Sequence, residues 1–174
     1  IHVVVGHMAE LVEQMVVGLS DDLKKLVKVD LQKEQLGTGH AVACAMGDIK
    51  DESDVLVLYG DTPLTPAPLL QELIASLQGK EMSVLTAFAD NPFGYGNLQK
   101  IVEEKDATDE ERKIKEVNTG MIVCKGKTLK EYLPKIKNNN KQGEYYLTDL
   151  SGMLTSASKA VGILVAPDFE ILSG

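Results

Sequence analysis

Residues 54–68 read DVLVLYGDTPLTPAP. The run DVLVLY over 54–59 is short and apolar with β-branched residues, which predicts a strand. Gly60-Asp61 ends it, and Pro63, Pro66 and Pro68 make a turn. Residues 68–77 then carry helical spacing, and Gly79 stops them. The same alternation extends outward. Residues 1–5 (IHVVV), a segment within 26–31, and residues 82–89, 98–102, 114–123 and 161–165 read as extended. Residues 8–19 place Met8, Leu11, Val12, Met15, Val16 and Leu19 at helical spacing. Residues 40–46 read as a small, buried helix, and residues 128–136 and 147–158 as further helices, the last with Thr148 or its neighbours near its N-cap. EQLGTGH over 34–40, DNPFGYG over 90–96 and NNNKQGEYY over 138–146 are loops by composition. Strands alternating with helices predict an α/β fold with a mixed, mainly parallel sheet flanked by helices.

The composition narrows the function. The chain has 174 residues, 44% hydrophobic and 25% charged, with a formal net charge of -8. No long basic run is present, which argues against a nucleic-acid-binding module. The basic-leaning stretch over 125–141 is broken by Glu131, Tyr132 and Pro134 and reads as a solvated helix face. No apolar run approaches the roughly 18 residues of a spanning helix, so no membrane partner is expected. Cys44 and Cys124 lie far apart without metal-ligand spacing and read as reduced core residues in a cytoplasmic protein. No repeat and no linker divides the chain. Because it opens on Ile1, inside a strand pattern, upstream sequence is expected to be missing.

In open α/β sheets ligands bind beyond the carboxyl ends of the strands. That rule selects 34–40, Tyr59-Gly60-Asp61 and Asn118-Thr119-Gly120. Asp61 is placed to hold Mg²⁺ beside phosphate oxygens, or merely to open the turn before Pro63. Gly37-Thr38-Gly39 can offer N–H groups and a hydroxyl to a base or phosphate, or simply turn the chain. It is neither a P-loop nor a dinucleotide fingerprint. Gln32, Glu34 and Gln35 bring amides and a carboxylate to the same rim, where an amide suits a pyrimidine edge. Gly96, Glu103 and Asn118 suit sugar hydroxyls and an acetamido group, or are turn and surface residues. The three histidines share no spacing that makes a metal site.

Taken together, LQKEQLGTGHA, LYGDTPL, GYG followed by IVEEKDATDEERKIKEVNTG, and NNNKQGEYYLTD resemble the N-terminal uridyltransferase domain of the bifunctional bacterial N-acetylglucosamine-1-phosphate uridyltransferase / glucosamine-1-phosphate acetyltransferase family. The resemblance runs from Ile1 to near Gly174. It implies a Rossmann-like sheet of the nucleotide-diphospho-sugar transferase type, incomplete at both ends. It also implies a Mg²⁺-dependent reaction of UTP with N-acetylglucosamine-1-phosphate to give UDP-N-acetylglucosamine and pyrophosphate, feeding peptidoglycan and lipopolysaccharide synthesis. On this resemblance Gln32, Gly37 and Thr38 hold the uridine. Tyr59, Gly60 and Asp61 line the nucleotide site, Asp61 binds Mg²⁺, and Gly96, Glu103 and Asn118 hold the N-acetylglucosamine moiety. The attacking sugar phosphate is already anionic, so no general base is needed.

The departures from the family are equally specific. Its glycine-rich loop L-A-A-G-x-G-T-R-M with the lysine that follows is absent, and Asn97 stands where the family has arginine. The second metal ligand, an asparagine, would fall beyond Gly174. No hexapeptide repeat is present, so residues 1–174 are expected to be a partial uridyltransferase domain without the acetyltransferase β-helix. The full-length family is a homotrimer that also acetylates glucosamine-1-phosphate from acetyl-CoA. The chain alone is expected to be nearly inactive. The alternatives are a nucleotidyltransferase for another sugar-1-phosphate and a non-catalytic sugar-nucleotide-binding module.

Overall fold

In a computed structural model the structure describes residues 1–89, 96–97, 108, 114–169 and 172. Glu103 and the expected strand over 98–102 lie outside the described residues. The chain divides into two units, Ile1–Ile49 with Ile136–Leu147, and Lys50–Lys135 with Thr148–Gly174.

In the first unit β1 (His2–Val5) and β2 (Lys28–Leu31) form a parallel pair, with His2 opposite Lys28 and Val5 opposite Leu31. Parallel neighbours need a long crossover, and α1 (Ala9–Val17) and α2 (Asp21–Lys24) supply it. The one-turn α2 was not legible in the sequence. The apolar stripe of α1 forms a helix as expected but buries none of its residues; Met15 is 73% exposed. The expectation of a buried strand over 1–5 holds only for Val5. In α3 (Thr38–Ala45), read as a buried helix, only Gly39 and Ala45 are buried. A two-stranded sheet has little face to cover, so its elements stay partly open. His2 Nδ1 lies 2.6 Å from Asp30 Oδ2, and Lys28 Nζ lies 3.3 Å from Asp30 Oδ1, so the buried Asp30 carboxylate is paired on both oxygens.

The second unit is built on a sheet of order β3-β6-β4-β7. Its strands are β3 (Asp54–Val57), β4 (Met82–Phe88), β6 (Glu116–Lys125) and β7 (Val161–Val165), with β5 (Gly96–Asn97) also on β6. β3, β4 and β5 run antiparallel to β6, and β7 runs parallel to β4. All strands but β6 therefore point one way, and the sheet is mixed. Residues 82–87 of β4 are buried without a break, the signature of a strand covered on both faces. On one face Leu69 and Leu73 of α4 (Ala67–Ala75), with Leu77, pack against Leu85, Ala87, Met121 and Val123. Met82, Val84, Ile122 and Cys124 alternate with these and are buried on the other. α5 (Gly126–Tyr132) and α6 (Asp149–Ser156) complete the unit. Thr148 precedes α6 as expected, although its side chain makes no capping bond. Glu81 fastens the end of β6 to α5: it accepts from the Thr128 hydroxyl and, at 3.1 Å, from Lys125 Nζ.

Both cysteines are free. Burial pushes the Cys124 thiol up to about 12. The reading of Cys44 as a core residue is corrected: it is only half-buried, because α3 leaves most of its surface open.

Candidate functional site

Two groups of predicted residues emerge, one in each unit. In the second unit β3 ends at Val57, two residues before the apolar run does, so Tyr59, Gly60 and Asp61 stand past the carboxyl end of the strand. Thr62 donates from its backbone at 3.4 Å and from Oγ1 at 3.1 Å to Tyr59 O, and Thr65 Oγ1 donates to Thr62 O at 3.0 Å. These turns deliver the chain to Pro66, which precedes α4. Gly60 and Asp61 are the exposed corner of that path. The Asp61 carboxylate has no partner among the described residues.

Across the sheet, Asn118-Thr119-Gly120 is an irregularity in β6. Thr86 of β4 pairs with Asn118 and Val84 with Ile122, so residues 119–121 oppose Leu85 alone. Such bulges re-aim side chains next to sites. Thr119 Oγ1 donates to Leu85 O at 2.8 Å and accepts from Met121 N–H at 3.3 Å. Asn118 Oδ1 accepts from Gly120 N–H at 3.0 Å. Gly120 has φ +81, and a Cβ there would sit 2.5 Å from the Tyr59 ring, so glycine is what lets Tyr59 lie against the strand. Asn118 is 7% exposed, yet its Nδ2 has no partner among the described residues. A buried amide donor left this way is a ready recognition group. Gly96 stands opposite Asn118 in the β5 ladder.

In the first unit Gln32 follows β2 and is 8% exposed. Its Nε2 donates to Gly37 O at 3.1 Å and meets His40 Nδ1 at 3.0 Å. Both amide hydrogens are thereby used, and Oε1 remains as an acceptor. Gly37 has φ +101, and a Cβ would fall 2.8 Å from Tyr145 O. The reason is a pairing that local sequence patterns did not reveal. Tyr145 N–H donates to Leu36 O at 2.8 Å, Gly39 N–H to Tyr145 O at 2.7 Å, and Leu147 N–H to Thr38 Oγ1 at 3.0 Å. The LGTG and EYYL stretches thus form one joint. Thr38 has a structural task there in addition to any contact with a base.

The donor chemistry of Asp61 fits a hard cation. Mg²⁺ takes one or two carboxylates and fills its other positions with phosphate oxygens and water. No cluster of three or more His, Cys, Asp or Glu stands together among the described residues. Sequence reasoning missed Thr86 and Glu116: Thr86 Oγ1 donates to Glu116 Oε1 at 2.9 Å. The position of Glu116, two residues before Asn118 on a strand, was the available signal.

Comparison with known proteins gives a consistent picture. Residues 1–143 match the MobA-like NTP transferase domain. The chain is 45% identical over 171 residues to the bifunctional protein GlmU of Marinobacter nauticus, covering 94% of this chain and 36% of that protein. It is 48% identical over 167 residues to the GlmU protein of Fervidobacterium nodosum, covering 91% and 35%. The chain thus spans about a third of the length of these relatives. A structure described as a glucose-1-phosphate thymidylyltransferase from Bacillus anthracis superposes with TM-score 0.64 at 17% identity, covering 95% of this chain and 67% of the other. A UDP-glucose pyrophosphorylase complexed with UDP-glucose gives 0.68 at 15% identity, covering 98% and 76%. These two likenesses carry the fold alone. Among the described residues no helix is long and apolar enough to cross a membrane.

Proposed function

We propose a nucleotidyl-transfer function on one premise: the chain belongs to the MobA-like NTP transferase domain family. The reaction is UTP with N-acetylglucosamine-1-phosphate to UDP-N-acetylglucosamine and pyrophosphate. A divalent metal is required, and we assign it as Mg²⁺. In the whole protein this serves cell-wall precursor synthesis in the cytoplasm, in a homotrimer that also acetylates glucosamine-1-phosphate.

The observation that carries this reading is Asn118, a buried carboxamide whose donor end has no partner among the described residues. It suits the acetamido carbonyl of the sugar. In the first unit Gln32 Oε1, without a partner among the described residues, suits the N3–H of uracil, while Gly37 and Thr38 offer backbone N–H groups to the uridine. Tyr59 and Gly60 border the nucleotide, and Gly96 and Glu103 complete the sugar contacts. Mg²⁺ supplies charge neutralisation on the phosphates and the leaving pyrophosphate. The chain's own residues then have two tasks, to hold the two substrates in line and to anchor the ion through Asp61. The sugar phosphate oxygen attacks the α-phosphorus, the bond to pyrophosphate breaks, and no proton need be removed.

Pyrophosphate release by the full-length protein from UTP, dependent on N-acetylglucosamine-1-phosphate and Mg²⁺, tests the reading. Asp61→Asn is expected to lower turnover at limiting Mg²⁺ by about a hundredfold or more. Asn118→Ala is expected to raise the sugar-phosphate KM about tenfold while the UTP KM holds. Unchanged turnover in the first variant, or equal shifts of both constants in the second, would overturn the assignments.

A further inference from the structure

We propose that Glu116 binds a hydroxyl of the sugar moiety and sets sugar specificity, with Thr86 as the residue that positions it; this rests on the nucleotidyl-transfer reading above. The argument begins with topology. β6 runs against its neighbours, so its first residue, Glu116, lies at the same sheet edge as the carboxyl ends of β4 and β7. That edge is where ligands enter such sheets. Glu116 and Asn118 are two apart on one strand and therefore share a face, about 7 Å from Cα to Cα. Thr86 is the direct cross-strand partner of Asn118 and is 0% exposed.

The hydrogen bonds give this face a direction. Thr86 Oγ1 has a second acceptor in reach, Leu164 O at 3.4 Å, so the threonine does not need the carboxylate to be satisfied. It nevertheless lies at 2.9 Å from Glu116 Oε1, and that contact fixes the rotamer of a long, otherwise adaptable side chain. Glu116 is half-buried, and its Oε2 has no partner among the described residues. A carboxylate in that position accepts only and repels phosphate. What it can take is a neutral donor. Asn118, beside it, presents a donor at Nδ2 and takes an acceptor. A hexosamine derivative carries both, a carbonyl on its acetamido group and hydroxyls around its ring. The pair thus reads the sugar end of the substrate and leaves the phosphates to other groups.

Kinetics of the full-length protein separate this from a merely structural Thr–Glu contact. Glu116→Gln keeps the shape and removes the charge. It is expected to raise the N-acetylglucosamine-1-phosphate KM about tenfold or more and to leave the UTP KM within about twofold. Against a series of ring-deoxy N-acetylglucosamine-1-phosphates, the wild type should discriminate strongly against the analogue lacking the bound hydroxyl, and Glu116→Gln should lose that discrimination. Thr86→Val should reproduce the sugar KM rise, and Thr86→Ser, which keeps the hydroxyl, should restore it. If Thr86→Val does not fold, the partly exposed Glu116 variant decides alone. An unchanged sugar KM, equal shifts of both constants, or retained discrimination in Glu116→Gln would overturn the proposal. Failure of the full-length wild-type protein to turn over UTP with any sugar-1-phosphate is a different result; it removes the nucleotidyl-transfer reading and this inference with it.

Discussion

Two positive-φ glycines of the second unit show how local backbone and packing divide their costs. Gly79 has φ +72 and nothing within 4 Å of a would-be Cβ. Gly79→Ala should therefore cost only the left-handed backbone, about 1–2 kcal/mol. Gly120 adds to a similar φ an aromatic ring at 2.5 Å. Gly120→Ala should cost about 2 kcal/mol more than Gly79→Ala, measured as the difference in urea unfolding free energy, because Tyr59 must leave its place as well. Equal losses would mean that Tyr59 moves freely. The turn at Gly79 was legible as a helix stop. The demand at Gly120 was not, since it comes from a residue 61 positions away by numbering that local patterns cannot pair with it.

At the level of elements, the joint between residues 36–39 and 145–147 makes a separate test. Leu147 is 1% exposed and gives its N–H to Thr38 Oγ1. Thr38→Val keeps the shape but strands that donor, an expected loss of about 1–3 kcal/mol. Hydrogen exchange at the Leu147 amide should accelerate more than exchange at the fully buried Val84 of β4. Composition and period foretold most elements here: β4 and β7 fall within one residue of their expected ends, and α4 keeps its Leu69–Leu73 stripe. What they did not foretell was which elements meet. The period of α1 was right about helix and silent about burial, because burial depends on a partner face that a helical pattern does not name. The bulge over 119–121 was equally hidden, since strand alternation looks the same until its partner is known.

For the molecule as a whole, Glu81 makes one contribution to the response to acid. The Thr128 hydroxyl, and after it Lys125, hold the Glu81 carboxyl below the usual carboxylate range. A carboxylate depressed in the folded state stabilises the fold above its ordinary pKa, near 4, and that contribution disappears as pH falls through the lower folded value. Urea midpoints followed from neutral pH downward should therefore fall across this range, and Glu81→Gln should flatten the fall. A wild-type midpoint independent of pH there would contradict the assignment. The α/β class and the place of Tyr59 and Asp61 past the end of β3 were readable from the chain; the position of Asn118 within β6, near its first residue, was not. The partition into two units was not, because no change of composition marks Ile49 or Lys135.

That partition gives the two cysteines a use. Cys44 belongs to the first unit and Cys124 to the second. With its thiol pushed up to about 12, Cys124 carries almost no thiolate at neutral pH and must be uncovered before an alkylating reagent can capture it. The Cys44 thiol is also pushed up, by burial and then by Asp30, but as a half-buried residue it can be reached without opening. Pulsed iodoacetamide followed by peptide mass analysis would thus time the opening of the second unit through Cys124, with Cys44 as the internal reference for labelling without opening.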